Sequence, residues 1–335
     1  MAKEVKEEKD LIGAALDAIA KSQGAGSAYI VGDFKPLPIE RFNPGSIALY
    51  DLTGGGYPEG RIIEIDGWES SGKTTISLLA VAAAQKKYPN KKTLYIDGEN
   101  ALDTFYAKAL GVDVDNMILA QPDNMEQGYQ IIETLVKTGQ ISMVVFDSVA
   151  GTITQKELEG EIGETTAMGV KAKLMSQAMP KFSALFHSTN TTGIWINQFR
   201  EKIGVMFGSP ITTPGGNALK FTASIRIEVR QSTKEKDSDG DINAIKIAVK
   251  CIKNKTAKPF KEGSYNIIFG IGIDKAAEIA TYGEALGIIK KSGSWYSYGD
   301  TKLGQGINGL RLTLEENPEL MEELETKIYN GLDEQ

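Results

Sequence analysis

Gly67-Trp68-Glu69-Ser70-Ser71-Gly72-Lys73-Thr74 is the stretch whose reading decides the fold. It stands directly after an apolar run, Ile62-Ile63-Glu64-Ile65, and directly before a helix-forming stretch, Ile76 to Gln85. A glycine-bearing turn between a strand and a helix is the setting of a phosphate-binding loop. Only glycine tolerates the backbone conformations that aim successive N–H groups at an anion, and Gly67 and Gly72 supply that freedom. The following helix offers unpaired N–H groups and about half a positive charge at its start. In this setting Lys73 reaches the β and γ phosphates of a nucleoside triphosphate, and the Thr74 hydroxyl ligates Mg²⁺.

Outward from the loop, apolar runs alternate with helical stretches from about residue 45 to 270. Ile62 to Ile65, Thr93 to Ile96, Ile141 to Phe146 and Gly193 to Ile196 are short and rich in β-branched residues. Strands buried on both faces of a parallel sheet have this character, with the intervening helices as crossovers. The expectation is an α/β fold with a mostly parallel central sheet. Beyond about residue 272 the pattern changes to a helix around Ala276 to Leu286, a turn-rich aromatic segment Trp295-Tyr296-Ser297-Tyr298, and a helix opened by Asn317-Pro318. These form a small C-terminal domain, 273–335. At the other end, Leu11, Ile12, Ala15, Leu16, Ile19 and Ala20 recur at helical spacing before a break at Gly24 to Gly26. Tyr29-Ile30-Val31 then reads as a short strand. Residues 1–34 are thus an arm that either docks on a neighbour or folds back on its own core.

Composition narrows the chemistry. The chain has 335 residues, one cysteine, one histidine and a formal net charge of -7. Cys251 lies in the apolar alternation Ile247 to Ile252 and reads as a buried strand thiol, and no disulfide framework exists. With His187 the sole histidine, metal clusters and histidine-based triads are excluded. No long apolar span or apolar signal core occurs and Met1 to Asp10 is charged, which points to the cytoplasm and away from a membrane. The acidic balance argues against a surface that coats nucleic acid everywhere. Lys246, Lys250, Lys253, Lys255, Lys258 and Lys261 nevertheless share a stretch without one Asp or Glu, either a solvated face or a phosphate contact.

Ligands of open parallel sheets gather at the carboxyl ends of the strands, so the polar residues closing each apolar run are the candidates. Asp147 ends Met143 to Phe146 and suits the acidic partner that holds the Mg²⁺ shell. Glu99 follows Tyr95-Ile96-Asp97-Gly98 as a general base to orient water. Gln198 ends Ile194 to Asn197, where a neutral amide senses the γ-phosphate. Two long segments without helix or strand periodicity leave this end of the sheet, at about 157–169 and 199–217, and such loops are functional when they are ordered.

The chain resembles the RecA family of bacterial and bacteriophage DNA strand-exchange recombinases. The resemblance rests on Glu69-Ser70-Ser71-Gly72-Lys73-Thr74-Thr75, the run Glu159 to Gly163, Met175-Ser176-Gln177-Ala178-Met179, Lys202 to Gly208, Gly215-Gly216-Asn217-Ala218-Leu219-Lys220-Phe221 and Lys253-Asn254-Lys255. It extends from the N-terminal helix to about Lys327. It implies a RecA-type phosphate-loop ATPase core, 35–272, a helix-strand polymerisation arm and a small α/β C-terminal domain that captures duplex DNA. The implied activity is ATP-dependent homologous pairing and strand exchange by a helical filament on single-stranded DNA, with DNA-stimulated hydrolysis. ATP and Mg²⁺ would sit between subunits, and loading or single-strand-binding proteins would be partners. Glu99, Gln198 and Lys73 carry catalysis in this reading, and Thr74 and Asp147 hold the metal. Asp103 and Tyr106 face the adenine, while Lys253 and Lys255 reach a neighbour's phosphates. Met168, Lys173, Ser176, Arg200, Lys202, Ile203, Gly215, Gly216 and Asn217 meet DNA. Leu16, Ile19, Lys220 and Phe221 lie in the subunit contact.

Several positions depart from the family pattern. The first loop, through Glu164-Thr165-Thr166-Ala167, is one residue longer than the bacterial form. Two family arginines appear as Lys173 and Pro180, Glu201 replaces an apolar residue, Ile211 replaces an acidic one, and no strongly acidic tail appears before Gln335. Two other functions fit the same core: a ring-shaped helicase motor, distinguished by processive unwinding, and a nucleotide-switched scaffold, distinguished by negligible DNA-stimulated hydrolysis.

Overall fold

The computed structural model describes residues 2–24, 27–32, 39–161, 169–201, 210–236 and 241–334. They fall into two compact units, Met1–Ile39 and Glu40–Gln335. The first unit is a helix, Ala2–Gln23, that stops where Gly24 takes a left-handed φ of 101°. Leu11, Ile12 and Ile19 on it are exposed. Tyr29-Ile30-Val31 does not form the expected strand, since Val31 already lies in a turn with Gly32. Three apolar residues between a glycine break and Gly32 leave too short a run to sustain a ladder.

The second unit is built on a nine-stranded sheet. In chain order its strands are β1 (Ile62–Gly67), β2 (Lys92–Asp97), β3 (Met117–Ala120), β4 (Ile141–Asp147), β5 (Thr192–Gln198), β6 (Ile225–Lys236), β7 (Ile242–Asn254), β8 (Glu262–Ile268) and β9 (Gly272–Ile273). In space they run β9-β8-β7-β6-β1-β5-β4-β2-β3. From β6 to β3 every neighbouring pair is parallel. Helices Lys73–Lys87, Met125–Val136 and Val170–Thr189 are the long crossovers. The alternation of strand and helix ends at β6, where β6 to β9 form an antiparallel meander. From Ile245 to Cys251 burial along β7 alternates, with Ile245, Ile247, Val249 and Cys251 inside and Lys246 and Lys250 exposed, a more solvated face that antiparallel strands tolerate.

Both faces of the parallel part are covered. Ile63, Ile65, Tyr95, Met143, Val145, Ile194 and Ile196 pack with Ile76, Leu78, Val81 and Ala84 of helix Lys73–Lys87. Their neighbours Ile62, Leu94, Ile96, Val144, Phe146 and Trp195 pack on the opposite face with Met125, Ile132, Met179 and Phe186. Period-two alternation along each strand separates the two cores.

A third core lies in the C-terminal region, formed by Ile279, Ile289, Tyr296, Leu303, Leu310, Leu314, Leu324 and Ile328. Helix Lys275–Ala285 leads into a three-stranded antiparallel sheet, followed by helices Gly306–Glu316 and Pro318–Asp333. Trp295–Tyr298 is the central strand of that sheet rather than a turn-rich segment, because Gly293 and Gly299, with φ of 59° and 55°, place the turns on either side of it. The buried Glu278 carboxylate ties this region to helix Ile47–Thr53, accepting from Ser46 Oγ at 2.5 Å and from the N–H groups of Ile47 and Ala48 at 3.1 and 3.0 Å. Tyr50 donates to Asp333 at 2.8 Å. Cys251 is buried, and desolvation pushes its thiol up to about 11, so it stays protonated and inert at neutral pH.

Candidate nucleotide site and its surroundings

The loop after β1 is held in shape by its own polar groups. Gly67 sits against β6, where a side chain would overlap Val229 O and come within 2.8 Å of Ser71 Oγ. Ser71 Oγ donates to Trp68 O at 2.8 Å, Phe199 N donates to Gly67 O at 3.0 Å, and the Trp68 and Phe199 rings meet edge to face at 5.7 Å. Gly72 caps helix Lys73–Lys87 with φ 84°, and a Cβ there would lie 2.6 Å from Ile267 Cδ1. Ser70 also has a positive φ, 55°. Glu69 is exposed on the loop, and Thr75 follows in the first helical turn. No side chain caps the helix start, which leaves its first N–H groups for an anion.

Lys73 Nζ folds back to donate to Trp68 O at 2.5 Å. Burial lowers its pKa, while the nearby Asp147, Glu99, Glu69 and Asp66 carboxylates raise it. A buried ammonium bonded to a carbonyl, beside an uncapped helix start, is a donor set that fits a polyphosphate. Next to it, Thr74 Oγ1 donates to Asp147 Oδ2 at 2.8 Å and Tyr95 OH donates to the same oxygen at 2.7 Å. Burial raises the Asp147 pKa against the opposing effect of those two bonds. No cluster of three metal-binding His, Cys, Asp or Glu side chains occurs among the described residues. A single carboxylate and a hydroxyl are a donor set for Mg²⁺, which takes its remaining ligands from water and phosphate.

The ends of β2, β4 and β5 bring Glu99 and Gln198 together. Asp97 of β2 stands opposite Asp147 of β4, and Gly98 N donates to Asp147 O at 2.7 Å. Glu99 Oε1 accepts from Gln198 Nε2 at 3.0 Å and from Ser148 Oγ at 2.5 Å. Asp97 accepts from the N–H groups of Ala101 and Leu102 at 3.3 and 3.1 Å and from Gln121 Nε2 at 3.1 Å, which fixes the turn carrying Glu99 and Asn100. Asp103 caps helix Thr104–Ala109, accepting from Phe105 N and Tyr106 N at 2.8 and 3.1 Å. Tyr106 OH and Thr75 Oγ1 share a hydrogen bond of 3.1 Å, which joins the expected adenine side to the loop. Sequence reasoning passed over Tyr95, Asp97 and Ser148. Their signal was slight: a polar atom inside an apolar run, or a serine next to a singled-out aspartate.

Other candidates lie elsewhere. Lys253 Nζ donates to Lys220 O and Phe221 O at 2.7 and 2.9 Å, and Lys255 Nζ donates to Phe221 O at 3.2 Å. Both lysines thus sit on the carboxyl end of helix Ala218–Thr222, where cations are favoured. Lys253 stands opposite Arg226, which stands opposite Glu64, three positions before Gly67. Burial, with Lys255 and Arg226 nearby, lowers the Lys253 ammonium to about 8. Within one chain these lysines do not meet the phosphate loop. The lysine run is also divided by partners, since Lys250 pairs with Glu262 at 2.5 Å and Lys261 with Asp51 at 2.6 Å. Phe221 is 73% exposed beside Lys253.

Met168, Lys202 and Ile203 lie outside the described residues, as do the inserted positions Glu164 to Ala167. The base of the second loop is a short antiparallel ribbon in which Arg200 stands opposite Thr212 and Glu201 opposite Ile211. Gly215 and Gly216, with φ of 86° and 73°, pack on helix Val170–Thr189, where side chains on them would run into Met175 and Ala172. That helix presents Lys173 and Ser176 to solvent, and Asn217 is exposed next to Gly216. Ser176 Oγ donates to Ala172 O at 2.8 Å. Leu16 and Ile19 lie on the helix of the first unit.

A covered parallel sheet, a strand-loop-helix phosphate cradle and acidic and amide side chains on the adjoining strand ends define the phosphate-loop ATPase fold. Residues 10–274 match the model of the RecA N-terminal domain and residues 277–333 that of the RecA C-terminal domain. The chain is 50% identical over 320 residues to Protein RecA of Bacteroides thetaiotaomicron, covering 95% of this chain and 96% of that protein. It is 46% identical over 329 residues to Protein RecA of Lactiplantibacillus pentosus, covering 97% and 86% of the two chains. Protein RecA of Aquifex aeolicus is 46% identical over 329 residues, with 98% and 94% covered. The chain belongs to the RecA family of DNA strand-exchange recombinases.

Proposed function

We propose that this recombinase binds and hydrolyses ATP with Mg²⁺ at the loop Gly67 to Thr75, and that the nucleotide stabilises a head-to-tail filament on single-stranded DNA. Glu69, Ser70, Ser71 and Gly72 line the phosphates, and Lys73 leaves Trp68 O to meet them. Thr74 and Asp147 hold the metal. Bound Mg²⁺ would neutralise phosphate charge. Glu99 accepts the proton of the attacking water, and Gln198 moves from Glu99 to the γ-phosphate, which links the nucleotide to the loop that begins at Phe199. Asp103 and Tyr106 hold the adenine. Lys253 and Lys255 act on the phosphates of the adjoining subunit, a reading supported by their bonds to Lys220 O and Phe221 O rather than to their own loop and by the exposed Phe221 beside them.

In the same reading, Lys173, Ser176, Arg200, Gly215, Gly216 and Asn217, with Met168, Lys202 and Ile203, contact the strand, and Leu16, Ile19, Lys220 and Phe221 contact neighbours. The C-terminal domain captures duplex. The protein works in the cytoplasm, where loading or single-strand-binding proteins assist it. Among the described residues no helix is long and apolar enough to cross a membrane.

The observation that carries the proposal is the Glu99 to Gln198 hydrogen bond at the same strand ends as the Thr74 to Asp147 bond. DNA-dependent ATP hydrolysis tests it. Glu99→Gln should keep nucleotide and DNA binding while slowing turnover by about a hundredfold or more, the scale of a lost general base. Lys73→Ala should weaken nucleotide binding itself. Wild-type turnover in Glu99→Gln removes Glu99 from the mechanism.

A further inference from the structure

The hydrogen bond between Ser148 and Glu99 is used by none of the steps above. Ser148 is fully buried at the end of β4, directly after the metal-side Asp147. Its backbone is pinned by Thr152, whose N–H and Oγ1 both donate to Ser148 O, at 3.1 and 2.9 Å. Gly151 N donates into Ser148 Oγ at 3.1 Å. With that acceptor position filled from the backbone, the single hydroxyl proton is directed at Glu99 Oε1, 2.5 Å away. An ionised carboxylate only accepts, so the two groups match in polarity. Gln198 Nε2 donates to the same oxygen, Oε1. No hydrogen bond among the described residues reaches Oε2. Gly151 also closes on the carboxylate from behind, since a Cβ there would lie 2.7 Å from Glu99 Oε1.

The two donors differ in what they can do. Ser148 is buried and bonded through both backbone and hydroxyl, whereas Gln198 ends a strand that leads straight into a loop. When Gln198 lets go, Glu99 still has Ser148.

We propose that Ser148 is the positioning residue of hydrolysis: its hydroxyl clamps Oε1 of Glu99, so that Oε2 stays directed at the attacking water after Gln198 has turned away. The inference rests on Glu99 being the base. A base held in one orientation avoids the loss of rate that follows when a reacting group samples several rotamers.

Four proteins test it: wild type, Ser148→Ala, Glu99→Gln and the double variant, with DNA-dependent turnover and nucleotide affinity measured on each. Ser148→Ala should lower kcat by about tenfold, the scale of one hydrogen bond to a charged group, with KM and nucleotide affinity unchanged. In the Glu99→Gln background the same substitution should cost nothing further, because its effect passes through the carboxylate. Ser148→Cys, which keeps a weak donor of similar size, should fall between serine and alanine and stands in if the alanine variant does not fold. A crystal structure of Ser148→Ala/Gln198→Ala, in which both donors to Oε1 are gone, should show the Glu99 carboxylate displaced from Gly151, whereas Gln198→Ala alone should leave it in place. Wild-type kcat in Ser148→Ala, an equal loss in both backgrounds, a loss carried by nucleotide affinity, or an unmoved carboxylate overturns the proposal. Wild-type turnover in Glu99→Gln would instead overturn the role of Glu99 itself.

Discussion

Asp66, one position before Gly67, has its Oδ2 bonded to Arg226 at 2.8 Å, while its buried Oδ1 has no partner among the described residues. The same guanidinium also binds the buried Glu64. Two carboxylates sharing one cation in a desolvated place do not both hold full charge easily. Burial first, and Glu64 second, push Asp66 up to about 7. An aspartate in the unfolded chain titrates near 3.9. Between about pH 4 and 7 the folded protein therefore keeps a proton that the unfolded chain has released, so stability falls as pH rises through that window and stays at the lower level above it. Asp66→Asn cannot titrate. Its stability relative to wild type should climb across that window by on the order of 4 kcal/mol, then level off. Urea unfolding of both proteins from pH 4.5 to 8 measures it, and a difference independent of pH would show that Asp66 is ionised throughout.

The ribbon at the base of the second loop gives two departures from the family pattern a common cause. Glu201 stands where the pattern has an apolar residue and Ile211 where it has an acidic one, and the two face each other across the ribbon. The pair has exchanged sides while keeping one acid and one apolar residue. Ile211→Glu alone sets two carboxylates opposite each other, which is destabilising, and should weaken single-stranded DNA binding by about two- to fivefold. The double exchange Glu201→Ile/Ile211→Glu should recover most of that loss. A double variant no better than Ile211→Glu would mean that the two positions act separately. Element by element, legibility followed local chemistry. The parallel strands were readable because β-branched residues buried on two faces leave continuous apolar runs, and the phosphate loop was readable because its glycines are contiguous with them. Trp295–Tyr298 was misread because a short strand between glycines has the composition of a turn. Tyr29 to Val31 erred the other way, as strand-like composition without a ladder. Ser148 escaped notice because its partner lies 49 positions away and is met only through the pairing of β2 with β4.

At the scale of the molecule, the phosphate loop and the lysines Lys253 and Lys255 belong to one chain but to different places, and this separation is what makes a shared site the economical reading. On the proposed head-to-tail assembly, each ATP site would draw Glu99 from one subunit and the two lysines from the next. Mixing two inactive variants tests this most directly. On that reading Glu99→Gln would lack the base of its own site and still lend its lysines, whereas Lys253→Ala/Lys255→Ala would keep the base and lend nothing. With random assembly at equal ratio, about a quarter of the interfaces regain a whole site. DNA-dependent ATP hydrolysis, measured across mixing ratios after both variants are shown to enter one filament, should follow a bell-shaped curve with its maximum near equal mixing. Activity that never exceeds the sum of the separate variants would show that each site is complete within one chain.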